Sequence, residues 1–204
     1  MLPYGRQSIN DDDIRAVSEV LKGDWLTTGP YVARFEEELT RYTGATRVVS
    51  CTSGTAALHI AYAAAGIGEG DEVITTPMTF VATASSALAC GAKVVFADID
   101  DTANIAPAAV EPLVTDRTKV IAGVDYAGQP VEIERLNELA HAKGALTVED
   151  AAHSIGSHVG ERAVGSLADL TCFSFFPTKN MTTAEGGAVA TLDADLGQRA
   201  HEFH

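Results

Sequence analysis

Short β-branched runs alternate with longer helical patterns along nearly the whole chain, and this alternation limits the fold more than any other feature. RVVSC (47–51), EVITTP (72–77), KVVFADI (93–99), KVIAGVDYAG (119–128), ALTVEDA (145–151), LTCFSFF (170–176) and GAVATL (187–192) read as strands. Between them, GTAALHIAYAAAG (54–66), FVATASSALACG (80–91), PAAVEPLV (107–114) and VEIERLNELAHAKG (131–144) read as helices, the third weakened by Pro112. Two more helices, over 11–22 and 31–43, flank GDWLTTGP, and GQRAHEFH reads as a further one. Strands separated by helices of about ten or more residues imply right-handed crossovers. The expected fold is therefore α/β, with a mainly parallel seven-stranded sheet flanked by helices.

At 204 residues the chain has the length of one domain with at most a small appendage. We divide it into an N-terminal helix and following segment, 1–30, and a main body, 31–204. The net charge of −14 argues against nucleic acid or an anionic membrane as partner, since both attract basic surface. A small anionic ligand needs only a few local N–H groups and stays compatible with that charge. Cys51, Cys90 and Cys172 form no C-x-x-C pair and read as buried hydrophobes of a cytoplasmic protein. The first residues lack the basic and apolar regions of a signal peptide, and no apolar run is long enough for a membrane span.

Ligands of such sheets bind at the carboxyl ends of the strands, so the residues placed there matter most. After the first strand comes CTSGTAAL. Ser53 or Thr52 can cap the helix, and the N–H groups of Gly54 and Thr55 face outward, as a phosphate requires. A plain helix cap is the simpler reading of the same residues. Phe80 follows the second strand, either as a core aromatic or as a flat face for an aromatic ligand. Glu149 and Asp150 end the fifth strand, and alternation sends them to opposite faces of the sheet. His153 lies three residues after Asp150, which could also serve as a structural cap. Ser174 sits in an apolar strand and Lys179 in the loop after it, ahead of Glu185-Gly186-Gly187. His201 and His204, at helical spacing, could offer two metal ligands, but no second ligand pair stands out and no metal is expected.

Together, an anion cradle, a flat aromatic, a carboxylate and a lysine are the parts that hold pyridoxal 5′-phosphate. Lys179 would condense with its aldehyde, and Asp150 would keep its pyridine nitrogen protonated. Gly54, Thr55 and the Ser174 hydroxyl would hold its phosphate. Apolar walls and a cationic ring would lower the Lys179 pKa, which suits a nucleophile.

The stretches WLTTGPYVARFEEEL, SGTAALHIA, TTPMTFVATAS, ADID, VEDAAHSIGS, FSFFPTKN and TTAEGGAV resemble the DegT/DnrJ/EryC1/StrS sugar aminotransferases, in order and spacing, over essentially the whole chain. PYGRQSI and DWLTTGP are most similar to the branch that serves pseudaminic acid synthesis. The resemblance implies an aspartate-aminotransferase-like large domain and a cytoplasmic homodimer. It implies transfer of an amino group from L-glutamate to the C4 ketone of a nucleotide-linked 4-keto-6-deoxy sugar. Lys179 matches the lysine that binds the cofactor, Asp150 the partner of the ring nitrogen, and His153 the contact of the ring hydroxyl. Phe80 matches the aromatic stacked on the ring, Gly54, Thr55 and Ser174 the phosphate contacts, and Thr28 a turn beside the sugar. Ala184 stands where glycine is expected, and Phe176 where histidine or tyrosine is common. Family members are roughly twice as long, so a small C-terminal domain and a neighbouring subunit's asparagine would lie beyond His204. Two alternatives follow. One is an inactive cofactor-binding remnant or scaffold protein. The other is a related sugar dehydratase, against which Lys179 argues because that branch carries histidine there.

Overall fold

A computed structural model describes residue 5 and residues 7–204. Pro3, Tyr4 and Arg6 of the PYGRQSI stretch lie outside the described residues. Helix α1 spans Asp11–Lys22 and α2 spans Pro30–Thr43. Both begin where the local chemistry sets them. The Asn10 side chain accepts from the Asp12 and Asp13 amides at 2.8 and 3.1 Å, and Asp13 accepts from the Asn10 amide at 2.9 Å. Pro30 opens α2 with its missing N–H where no acceptor is needed, and Gly44 closes it at φ 73°.

Strand β1 (Arg47–Cys51), α3 (Gly54–Ala64), β2 (Glu72–Thr75), α4 (Ala82–Ala89) and β3 (Lys93–Phe96) follow. Next come α5 (Pro107–Val110), β4 (Thr118–Val124), α6 (Ile133–His141) and β5 (Leu146–Asp150). Pro112 limits α5 to one turn, and a 3-10 turn over Glu111–Leu113 takes up the remainder of the expected helix. Two short strands, β6 (His158–Val159) and β7 (Arg162–Ala163), make a small antiparallel ribbon absent from the sequence expectation. Strands β8 (Leu170–Ser174) and β9 (Gly187–Thr191) and helix α7 (Ala194–Phe203) complete the chain.

The main sheet has seven strands in the order β1-β9-β8-β5-β4-β2-β3. Strands β8, β5, β4, β2 and β3 pair in parallel, whereas β9 runs antiparallel to both β1 and β8. The reversal has a simple cause. Every parallel neighbour is reached through a crossover, but β8 and β9 are joined by the loop 175–186, which contains no helix to carry the chain back.

Helices cover both faces. Leu58, Ala61 and Tyr62 of α3, Ala87 of α4 and Leu196 of α7 pack with Val73, Val120, Val148 and Cys172 on one face. Leu39 of α2, Val110 of α5 and Leu136 of α6 pack with Ile74, Ile121 and Phe173 on the other. Strands exposed to helices on both sides become continuous apolar runs, which explains why these strands show little alternation. Of the cysteines, Cys172 is buried, while Cys51 and Cys90 are half-buried, short of the full burial expected. Helix α1 stands apart: it is amphipathic, yet none of its residues is buried, and Ile14, Val17 and Leu21 are all exposed. No helix among the described residues is long and apolar enough to cross a membrane.

Candidate active site

The carboxyl ends of β1, β2, β5 and β8 lie along one edge of the sheet, and a cavity of about 460 Å³ opens there. Its walls include Gly54, Thr55, Phe80, Asp150, Ser174 and Lys179, six of the eight residues expected to form a site. His153 and Thr28 are not among the lining residues, and both are exposed.

The cradle forms at the end of β1. Ser53 caps α3, its hydroxyl accepting from the Ala56 amide at 3.1 Å. The amides of Gly54 and Thr55 belong to the first turn, where the helix itself provides no acceptor. Ser174 approaches from β8. A Cβ at Gly54 would stand 2.8 Å from the Ser174 Cβ and 3.1 Å from its hydroxyl, so only glycine admits the serine so close. A Cβ at Gly187 of β9 would meet the Ser53 carbonyl oxygen at 2.4 Å. Both glycines thus serve close approach around the first turn of α3.

Phe80 is 74% exposed, so it is not the core aromatic that was one of its two readings. It belongs to the turn before α4, which begins two residues later than the sequence pattern indicated. Its ring forms one wall of the cavity, with Leu58, Ala82, Ala152 and Phe176 also contributing apolar surface.

Asp150, the last residue of β5, is buried on the α3/α4 face. Glu149 points to the opposite face, as alternation requires, where Thr171 donates to its Oε2 at 3.0 Å. Asp150 caps no helix, because residues 152–156 form turns. Its Oδ2 accepts from the Thr83 hydroxyl at 2.6 Å and its Oδ1 from the Ala152 amide at 3.3 Å. Burial pushes its pKa above the ordinary carboxylate range, while the Thr83 bond, the Ala152 amide, Lys179 and His153 oppose that rise.

Lys179 is half-buried in a short turn, its amide bonded to the Phe176 carbonyl at 2.9 Å. Partial desolvation lowers its pKa, and the charge of Asp150 works against that. His153 is lowered mainly by desolvation and then by Lys179, so the three groups share one electrostatic neighbourhood even though His153 stands outside the wall. The loop that carries Lys179 is tied at its neck. The Phe175 amide donates to the Gly186 carbonyl at 2.9 Å, and the Thr183 amide to the Phe175 carbonyl at 3.0 Å. Ala184 in this loop has φ 67°, the left-handed region that favours glycine. Thr28 also has a positive φ, 47°.

Glu185 and Gly186 line the cavity without having been assigned a role, although EGG before a strand was a signal of close approach. Thr83 carried no sequence signal, because a threonine within an apolar helix says nothing until its distance to Asp150 is known.

A family model described as the DegT/DnrJ/EryC1/StrS aminotransferase family matches residues 7–204. The chain belongs to this family. Among curated relatives of the family, it is 43% identical over 207 residues to the UDP-4-amino-4-deoxy-L-arabinose–oxoglutarate aminotransferase of Shewanella sediminis. That match covers 100% of this chain and 53% of the relative. Among solved structures, Helicobacter pylori PseC, an aminotransferase involved in the biosynthesis of pseudoaminic acid, superposes with a TM-score of 0.93 at 37% identity. The match covers 98% of this chain and 55% of PseC. A putative sugar aminotransferase of Streptococcus pneumoniae, solved in its PLP-form, gives a TM-score of 0.92 at 32% identity, covering 98% and 56%. The fold is therefore the one the family resemblance implied, and the chain spans about half the length of the curated relatives it matches.

Proposed function

We propose that this chain binds pyridoxal 5′-phosphate in the cavity and supplies the lysine side of a sugar aminotransferase site. The carrying observation is that Lys179, Asp150 and the first turn of α3 open into one cavity of about 460 Å³. The residues fit the group. The missing side chain of Gly54 lets the Ser174 hydroxyl stand against the first turn of α3, whose amides have no acceptor within the helix and suit a phosphate. The cavity also combines an exposed ring, Phe80, with a buried carboxylate and a half-buried amine, which suit an aromatic, cationic, aldehyde-bearing ligand. Such a cofactor, when bound, supplies an electron-withdrawing ring that stabilises negative charge beside the transferred nitrogen.

Each residue then has a task. Gly54, Thr55 and Ser174 would bind the phosphate. Phe80 would stack on the ring, and Asp150 would pair with its nitrogen. His153 would serve the ring hydroxyl. Lys179 would hold the ligand covalently through Nζ. Desolvation raises the neutral fraction of its amine, which favours attack and lets Nζ later accept the proton from the donor's α-carbon. Residues 31–204 form the cofactor body. Residues 1–30, with Thr28, lie toward the substrate.

The donor in this reading is L-glutamate. The acceptor is the C4 ketone of a nucleotide-linked 4-keto-6-deoxy sugar, and the working unit is a homodimer. The relatives' names support the sugar and the amino transfer. Because the chain spans about half of those relatives, a second reading is kept: a protein that binds the cofactor without turnover. The test has two stages. Borohydride should fix pyridoxal phosphate covalently on the parent chain and not on Lys179→Ala; equal labelling of both would falsify the lysine assignment. Formation of 2-oxoglutarate from glutamate and a nucleotide keto-sugar then separates transaminase from binding protein.

A further inference from the structure

We propose that Thr83 is the positioning residue for Asp150, its hydroxyl fixing one carboxylate oxygen while the group faces the cavity. The inference rests on the reading of Asp150 as the partner of a cationic ring nitrogen. Thr83 is fully buried on α4, and its Oγ1 lies 2.6 Å from Asp150 Oδ2. A carboxylate only accepts, and a hydroxyl has one proton, so Thr83 donates to Asp150. The competing acceptor, the Phe80 carbonyl, is 3.3 Å away. Thr79 Oγ1 lies 2.7 Å from Thr83 Oγ1 and must then donate in turn. The result is a directed run, Thr79 to Thr83 to Asp150, whose dipoles all favour the ionised acid.

The same residue links the two ends of the site. The Tyr62 hydroxyl of α3 donates to the Thr83 carbonyl at 2.8 Å. The helix whose first turn forms the anion cradle therefore anchors the residue that anchors the carboxylate. This chain of contacts joins cradle and carboxylate alongside the pairing of β5 with β8.

Without the Thr83 hydroxyl, Asp150 would keep only the 3.3 Å bond from the Ala152 amide in a buried setting. Lys179 and His153 face it from the two loops, Cys172 from β8, Tyr62 from α3 and Asp125 from the end of β4. Tyr62 and Cys172 are both raised by burial and stay neutral, and Asp125 repels. The cations are half-buried or exposed, so the threonine is the nearest group that stabilises the anion from within the protein.

Carbon-13 NMR of carboxyl-labelled aspartate gives the titration midpoint of Asp150, its resonance assigned by loss in Asp150→Asn. Thr83→Val should raise that midpoint by about one pH unit, and Thr83→Ser should restore it. Thr79→Val, at a half-buried position that spares the core, should raise it by less. Pyridoxal phosphate affinity should fall roughly tenfold in Thr83→Val and recover in Thr83→Ser. A midpoint that stays at the parent value in both valine variants overturns the proposal. If the parent chain takes up no pyridoxal phosphate, the functional reading fails, and the NMR midpoint still decides the role of Thr83.

Discussion

Two glycines at the cradle decide what a ligand meets there. Adding a methyl group at Gly54 sets it 2.8 Å from the Ser174 Cβ, closer than packed carbon atoms stand. Gly54→Ala should destabilise the fold by about 1–3 kcal/mol through overpacking and weaken phosphate binding, read by thermal unfolding and by titration with pyridoxal phosphate. Ala184 is the opposite case. Its φ of 67° costs about 1–2 kcal/mol for an L-residue, partly offset by the greater freedom glycine has in the unfolded chain. Ala184→Gly should therefore raise stability by less than about 1 kcal/mol in a denaturant titration, without loss of covalent lysine labelling. Lys179, Asp150 and Ser174 were legible because each is chemically out of place in an apolar strand end or its loop. His153 was marked by its spacing from Asp150 and Thr28 by the resemblance alone, and neither reaches the cavity wall.

Among the elements, the start of α3 was legible from its Ser53 cap, and α1 and α2 begin at or one residue from the expected positions 11 and 31. The β6–β7 ribbon was not, since two-residue strands have no periodicity to read. The direction of β9 was not either, because direction is set by the connection and not by the strand's own residues. Buried charge at the strand ends gives two tests. At the start of β2, Glu72 accepts from Thr115 at 2.7 Å and from Arg117 at 2.9 Å, with Lys93 at 3.4 Å. The Thr115 bond first, then Arg117, brings its pKa down to about 2. A depressed acid stabilises the fold above its unfolded pKa and loses that contribution as pH falls through the folded value. Glu72→Gln should accordingly lower the melting temperature at neutral pH, with the difference vanishing as the pH approaches 2. At the opposite ends of the strands, the acids Asp125 and Glu149 are buried near each other, both raised mainly by burial. Glu149 Oε1 has no partner in good hydrogen-bond geometry among the described residues, and Asp125 accepts from Ser154 and from the Val131 amide. Raised acids reverse the sign: native protons are retained to higher pH, so stability declines as pH rises past the ordinary carboxylate range. Glu149→Gln should flatten that decline in melting curves taken across it.

For the molecule as a whole, the helical layers on both faces carry the core and α1 adds nothing to it. Replacing Ile14, Val17 and Leu21 by alanine should change the unfolding free energy by less than about 1 kcal/mol, measured by urea titration. The sheet order, by contrast, is demanding. Arg47 of β1 pairs with Thr191 of β9, so the first strand made is hydrogen-bonded by the last. During translation β1 leaves the ribosome long before its neighbour exists and waits as an unpaired edge. Gly187, which packs against the Ser53 carbonyl, arrives with that same late strand. The anion cradle, which takes Gly54 and Thr55 from the first third of the chain and Ser174 from β8, is therefore complete only once β9 has been made.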